Sequence, residues 1–326
     1  MNNFKKIGLT ALAASLVSVS AHAGEMSVSG SAALGVSGYS GEELNAGTGY
    51  SMGNQLTFSG GGELDNGINV ALSFVLDQGD ADPGPFDSHS LSLSTDMMGT
   101  LTFNGEGGTT TANNIDKSVA GDIWDKFDSL ANAAAQVNSA QPTDNVTATA
   151  GDNSMFYTSP ELMEGLTVNA SYQPQGSNRT SGTGLGAAYS NADYGLTLNY
   201  AEADVVGTTV AKSGTETVMK ASWAYGPVTL SYSDMSTDIS AASSDYDLEA
   251  FAVSYTVNDE ISVTYGMEDI TQEGGTSDAE YESLSAAYTA GGMTATVGMH
   301  SAENANFGTA SNQDYEKWTL DLSFAF

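Results

Sequence analysis

The chain ends with Lys317-Trp318-Thr319-Leu320-Asp321-Leu322-Ser323-Phe324-Ala325-Phe326. Beginning at Trp318, every second residue of this stretch is apolar. A period of two is typical of a β-strand, because successive side chains of a strand point to opposite faces. The stretch therefore predicts a strand with one apolar face and one polar face.

The same alternation recurs along the rest of the chain. Between Met26 and Val36 the even positions are apolar or small, and serines occupy most odd positions. Residues 68–76, 261–267 and 293–299 repeat the pattern. With residues 154–158 included, sixteen such segments are predicted, separated by turn-forming residues. We therefore expect an all-β, antiparallel fold of sixteen strands.

The connections between these segments alternate in length. Short turns such as residues 64–67 and 225–227 alternate with longer links such as 205–214 and 270–278. Short links at one end and long links at the other are typical of a transmembrane β-barrel, as are tyrosines near the strand ends. Closing the sheet leaves no unpaired edge in lipid. The second face is mostly Ser, Thr, Gly and Asn, so we expect a wet lumen without a dry core.

The first residues predict an export signal. Lys5 and Lys6 precede an apolar run over residues 7–20, and Ala21-His22-Ala23 has the small-x-small pattern of a cleavage site. We expect residues 1–23 to be a signal peptide and residues 24–326 to form the mature barrel.

Composition excludes several functions. The 326 residues carry 8 Lys+Arg against 40 Asp+Glu, a formal net charge of -32. Nucleic acid is therefore excluded as a partner, because phosphate binding needs clustered basic residues. The chain has no cysteine, so it has no disulfide or thiolate site. His89 and His300 lie on opposite strand faces and offer no serine–histidine site, so we expect no enzymatic activity and no required cofactor.

Two stretches resemble one family. The closing strand with its terminal Phe326 resembles the last strand of Gram-negative porins, and residues 152–160, followed by Gly165-Leu166, resemble the segment that leaves their long third loop. The chain as a whole resembles trimeric general diffusion porins of the alphaproteobacterial type. The resemblance implies a homotrimer in the outer membrane of a Gram-negative bacterium, surrounded by lipid and lipopolysaccharide. It also implies a water-filled channel for small hydrophilic solutes and ions.

In that family the outer-membrane assembly machinery reads the terminal aromatic strand. The resemblance assigns this signal to Trp318, Leu320, Leu322, Phe324 and Phe326.

Residues 106–152 form a connection far longer than the roughly 12 to 15 residues of an ordinary loop. The resemblance implies that this third loop folds into the barrel and narrows the pore. Val119, Ile123 and Phe127 are spaced four apart, which predicts a short helix docked on the barrel wall. The predicted constriction residues are the nearby acids and two lysines on the lumen face: Glu106, Asp116, Asp122, Asp125, Asp128, Lys220 and Lys317.

Porins of this family usually set loop acids against arginines on the opposite wall. Here Arg179 is the only arginine, and it falls in a predicted external loop. We expect Lys220 and Lys317 to form a reduced basic wall that does not offset the loop acids. Acids in a pore concentrate cations and repel anions, so a cation-selective channel is expected.

Further acids suggest divalent cations. Near the long links the apolar face ends in Glu202, Asp204, Asp234, Glu280 and Glu282, which predicts carboxylates at head-group level. Ca²⁺ or Mg²⁺ would then bridge them to anionic lipopolysaccharide. A loose cluster of possible metal ligands comprises Asp77, Asp80, Asp82 and Asp87. Because no EF-hand spacing is present, plain solvated acids remain the alternative.

Two other functions stay open at this point. One is a substrate-selective channel of the same fold, for which aromatic residues along the lumen are expected. The other is an acidic, secreted structural or surface β-protein that forms no pore and whose charge serves solubility in salt. The polar strand faces and the Phe326 motif favour the channel.

Overall fold

In a computed structural model, the protein forms sixteen β-strands. The structure describes residues 25–41, 48–77, 86–127, 152–175, 180–205, 213–240, 245–305, 307 and 314–326, so the predicted signal peptide lies outside the described residues. The strands are β1 Glu25–Gly41, β2 Thr48–Glu63, β3 Asn69–Asp77, β4 Ser88–Thr95, β5 Gly99–Glu106, β6 Ser154–Thr158, β7 Leu166–Gln173, β8 Gly182–Asn191, β9 Leu196–Val205, β10 Gly214–Tyr225, β11 Val228–Ile239, β12 Tyr246–Thr256, β13 Ile261–Gln272, β14 Ala279–Ala290, β15 Met293–Glu303 and β16 Tyr315–Ala325.

The sheet closes on itself. Each strand pairs antiparallel with its neighbours in the chain, and β1 pairs with β16. Beyond β16, Phe326 continues the seam: Gly30 N donates to Phe326 O at 2.7 Å, and Phe326 N donates to Gly30 O at 3.0 Å. The prediction of a closed sixteen-stranded antiparallel barrel is confirmed. Over the described ranges, no helix has the length and apolar character needed to cross a bilayer.

The outward face carries an exposed apolar band. Leu185, Val297 and Met299 are all more than half exposed, and several strands contribute similar side chains. Tyrosines lie at one border of the band, where Tyr232 donates to Glu249 at 3.2 Å and Tyr265 donates to Glu282 at 3.1 Å. An apolar band bordered by amphipathic rings is the pattern expected of a surface in contact with lipid.

Above this band, carboxylates align across neighbouring strands. Asp234 is directly opposite Glu249, which is opposite Asp269; Asp269 is opposite Glu280, which is opposite Glu303. Like charges directly opposite each other destabilise a sheet. The row is therefore suited to the solvated head-group zone and not to hydrocarbon.

The lumen is not wet throughout, which corrects one expectation. Val218, Met235, Leu248 and Ile270 point inward in the half of the barrel near the long links, and all are buried. They form an apolar cluster with residues of the third loop. The prediction that the inward face builds no dry core is wrong for β9–β16, because a chain segment inside the barrel covers those residues.

Candidate functional site: a loop segment inside the barrel

The segment formed by residues 107–127 leaves β5 and follows the inside of the barrel wall. Near its start, Thr111 N donates to Ser171 Oγ on β7 at 3.1 Å, and Thr111 Oγ1 donates to the carbonyl of Glu202 on β9 at 3.1 Å. Further along, Val119 N donates to Ser233 Oγ on β11 at 3.0 Å. We call residues 107–127 the inner segment.

A buried carboxylate holds the middle of the inner segment. Glu268 on β13 is only 2% exposed. Its oxygens accept hydrogen bonds from Ile123 N at 2.8 Å, from Trp124 N at 2.9 Å and from the Ser118 hydroxyl. Each of these hydrogen bonds joins a different residue of the inner segment to the same side chain on β13. Glu268 therefore fixes residues 118–124 against the wall.

Two ion pairs of opposite polarity join the inner segment to β10. Lys117 Nζ lies 2.7 Å from Glu216 Oε1, and Lys220 Nζ lies 2.8 Å from Asp116 Oδ2. Neighbouring residues of the segment thus carry opposite charges, as do Glu216 and Lys220 on the inward face of one strand. Sliding the segment along the strand would bring like charges together, so these pairs define its register.

The end of the inner segment is attached to β16 and β1, the two strands that close the barrel. Lys317 Nζ on β16 donates to Lys126 O at 2.6 Å, and Tyr39 OH on β1 donates to the same carbonyl at 3.4 Å. The Lys317 ammonium also lies 4.6 Å from the centroid of the Tyr39 ring, within cation–π range. The Phe127 and Tyr281 rings pack with their centroids 6.0 Å apart.

The predicted helix is largely absent. The only helix of the inner segment is the 3-10 helix Trp124–Phe127. Gly121 and Asp122 have φ of 90° and 48°, which are left-handed conformations that a right-handed helix does not contain. The docking half of the prediction fits the structure better: Ile123 and Phe127 are fully buried, and Val119 packs against the same cluster.

The segment lies so close to the wall that one strand position must be glycine. A Cβ added at Gly266 would come 2.8 Å from Ala120 Cβ and 3.1 Å from Ala120 Cα. Real Cβ atoms do not approach so closely, so a larger residue on β13 would displace the segment.

The predicted basic wall is wrong in its geometry. Lys220 and Lys317 do point into the lumen, but both contact the inner segment. The two lysines therefore do not face the acids of the inner segment across the pore. Strand parity identified the lysines that face the lumen but gave no information on what they touch. It also missed Lys117 and Lys126, which supply basic groups from the segment itself.

The predicted constriction acids separate into groups. Asp116 is paired with Lys220, whereas Asp122 and Asp125 form no ion pair within the described part of the chain. Burial raises the pKa of Asp122 to about 6, and the negative charges of Asp116 and Asp125 act in the same direction. Asp128 lies outside the described residues.

Glu106 is placed apart from these acids. It ends β5 beside a register shift, and its carboxylate lies 3.7 Å from His89 Nδ1. His89 in turn stacks on Phe74, whose side chain belongs to the outward face. The structure therefore does not bring Glu106 together with the acids of the inner segment.

The inner segment contacts β1 at Tyr39 but leaves most of the wall formed by β1 to β5 uncovered, and this wall is uncharged over most of its height. Strands β1 to β5 contain no lysine or arginine. Their inward side chains include Ser51, Gln55 and Thr57, and Ser92 Oγ lies 2.8 Å from Thr102 Oγ1 across β4 and β5. The open side of the lumen is therefore lined by hydroxyl and amide groups.

The two remaining predicted sites are the acidic cluster of possible metal ligands and the assembly signal. Asp77 ends β3 and Asp87 precedes β4, while Asp80 and Asp82 lie outside the described residues. Among the residues described, no three His, Asp or Glu side chains are grouped to hold a metal ion. The predicted assembly signal occupies the outward positions of β16, with Phe326 paired to Gly30.

This architecture agrees with what the chain resembles in sequence and structure. The chain belongs to the Gram-negative porin family, whose sequence model matches residues 8–309. No curated protein sequence matches it. Among solved structures, a variant of the Rh. blastica porin aligns with a TM-score of 0.66 at 17% identity, covering 93% of this chain and 100% of that one. The anion-selective porin from Comamonas acidovorans aligns with a TM-score of 0.67 at 14% identity and the same coverage.

Family and fold give the location and the general activity. The protein is an outer-membrane channel of a Gram-negative cell, and proteins of this family and fold are non-enzymatic channels. The alternative of a secreted β-protein that never enters lipid is thereby set aside.

Replacing Glu268 with Ala should release the inner segment. The amides of Ile123 and Trp124 would lose their acceptor in a buried place, at a cost of about 1–3 kcal/mol each. Single channels of E268A in a planar bilayer should therefore show larger current fluctuations than the unmodified protein. The control is Glu280→Ala, which removes a carboxylate from the outward row. Quiet E268A channels would contradict the anchoring role.

Proposed function

We propose that the protein is a water-filled channel for passive diffusion of small hydrophilic solutes and ions, with a modest preference for cations. The observation that carries the proposal is the charge pattern around the inner segment. Lys117 and Lys220 are each neutralised by a carboxylate at 2.7–2.8 Å. Asp122 and Asp125 have no such partner among the described residues, and Asp321 adds a further lumen acid opposite Gly35.

Two basic groups limit the strength of the preference. Lys126, near the end of the inner segment, and Lys317, whose Nζ donates to the Lys126 carbonyl from β16, also lack an acidic partner in the described ranges. The local excess of negative charge is therefore small. The surrounding field supports the same sign, because the whole chain carries -32 and a low-dielectric channel focuses that potential.

The fold alone does not determine the sign of selectivity. The structure from Comamonas acidovorans is described as anion-selective although it shares this barrel at 14% identity. Selectivity therefore depends on the charged side chains of the individual protein. Here the open wall of β1–β5 offers no basic residue to attract anions.

Reversal potentials across a KCl gradient test the proposal. The mature protein should show a ratio of K⁺ to Cl⁻ permeability above one. D122N/D125N should lower this ratio, because the variant removes two unpaired lumen charges. The matched control is D65N/D193N, which removes two acids from short turns at the barrel end and should change the ratio less. An anion preference in the unmodified protein would contradict the proposal.

The pH dependence of the reversal potential gives a second test. Asp122 has a raised pKa of about 6, so it is charged above that pH and neutral below it. The cation preference should therefore fall as the pH drops through about 6, and this step should be missing in D122N.

We also propose the assembly and the partners. Membership of the porin family supports a homotrimer whose terminal strand, ending at Phe326, is read by the outer-membrane assembly machinery. The carboxylate row from Asp234 to Glu303 supports Ca²⁺ or Mg²⁺ bridges to lipopolysaccharide, and acids 77, 80, 82 and 87 remain a second proposed cluster. Mass measurement in detergent, before and after chelator, tests both ideas. The mass of one barrel would contradict the trimer, and lipopolysaccharide retained after chelation would contradict bridging.

A further inference from the structure

We infer that a recess in the lumen wall binds one neutral, polyhydroxylated ring, such as a monosaccharide. The inference rests on the proposed channel function and names a solute class for the narrow part of the channel. The recess lies between residues 111–116 of the inner segment and strands β7–β10, and its volume is ≈ 230 Å³.

Small residues form the floor of the recess. Gly186 and Ala188 on β8 and Ala201 on β9 all point inward at this place. A Cβ added at Gly186 would come 3.0 Å from Ala201 Cβ, so even one more methyl group would crowd the floor. The hollow thus follows from a run of small side chains on two adjacent strands.

Three carboxamides surround the floor. Asn169 lies on β7, Asn199 on β9 and Asn114 on the inner segment. The register places Asn199 directly between Ala188 and Lys220. Within the described chain, none of these three side-chain amides hydrogen-bonds to another residue. Three unengaged amides around one hollow are available to a solute.

The chemistry of these amides favours hydroxyl groups. Each carboxamide has an oxygen that accepts and an NH₂ group that donates two hydrogen bonds. A hydroxyl group both donates and accepts, so adjacent hydroxyls of a ring match an amide in either orientation. Ile115 also lines the recess and offers an apolar edge to the C–H groups of such a ring.

The charges at the recess disfavour an ionic ligand. The two charged side chains that line it, Asp116 and Lys220, are joined to each other at 2.8 Å. A charged solute would have to separate that pair or lose hydration without a counter-charge, and both are costly. A neutral solute avoids both costs.

The volume limits the ligand to one ring. Pockets for drug-sized molecules measure about 300–1,000 Å³, and this recess is smaller. The recess opens directly into the lumen, so a bound ring would partly obstruct ion flow and can be detected electrically.

Conductance of the full mature protein in symmetric KCl, titrated with D-glucose, tests the inference. Glucose should lower the conductance saturably, beyond its effect on bulk conductivity. A short poly(ethylene glycol) of similar size has few hydroxyl groups and should give only the bulk effect. In N169A/N199A the half-saturating concentration should rise by at least about tenfold, because two hydrogen-bonding groups are lost.

The matched control is Asn104→Ala, an asparagine on β5 whose side-chain amide donates to Ser154 on the adjacent β6, outside the recess. N104A should keep the glucose response, and a shift of the barrel band on unheated gels will show that each variant is folded. Normal KCl conductance with no saturable glucose effect would overturn the inference and leave the channel intact. An equal loss in N104A would overturn it as well. Inserted protein without any conductance would overturn the proposed function and the inference together.

Discussion

The carboxylate of Glu268 can be buried inside this barrel only because the inner segment donates three hydrogen bonds to it. Burying a carboxyl group without hydrogen-bond partners is costly. The dependence is mutual, since without the segment Met235 and Ile270 would face water instead of the apolar cluster. The inner segment is therefore a structural part of the wall from β7 to β16, and its position determines which side of the lumen it covers.

Once the segment is fixed on one side, the channel becomes asymmetric. Asp116 and Lys117 of the segment pair with Lys220 and Glu216 on β10, so these opposite charges do not face each other across the lumen. The opposite strands, β1–β5, offer hydroxyl groups and no lysine or arginine. In the proposed channel, ions and neutral solutes would pass between a surface that carries both positive and negative charges and a neutral one.

How far the sequence could predict this depends on the kind of contact. Alternation with a period of two predicted sixteen strands, because strand faces are local. The closing role of the last strand came from the resemblance of residues 317–326 to the end of Gram-negative porins. The same parity placed Lys220 and Lys317 in the lumen. It could not show that they bind the inner segment, since that contact joins residues about one hundred or more positions apart.

Some structural features that were not predicted had left a signal in the sequence, and others had left none. Gly121 is a helix breaker, and its position between Val119 and Ile123 argued against a continuous helix. Val218 and Met235 lie on the polar parity, an exception that indicated a covered region. Nothing in the local pattern distinguishes the buried Glu268 from the solvated acids of a chain with 40 of them.

The central claim is that an open channel remains between the inner segment and the wall of β1–β5. Single-channel conductance of Ser51→Trp tests it most directly, with Met52→Trp as control. Ser51 faces the lumen, whereas its neighbour Met52 is 62% exposed on the outward face. The account predicts stepwise conductance that S51W reduces clearly and M52W leaves nearly unchanged. Equal conductance in the two variants would contradict it.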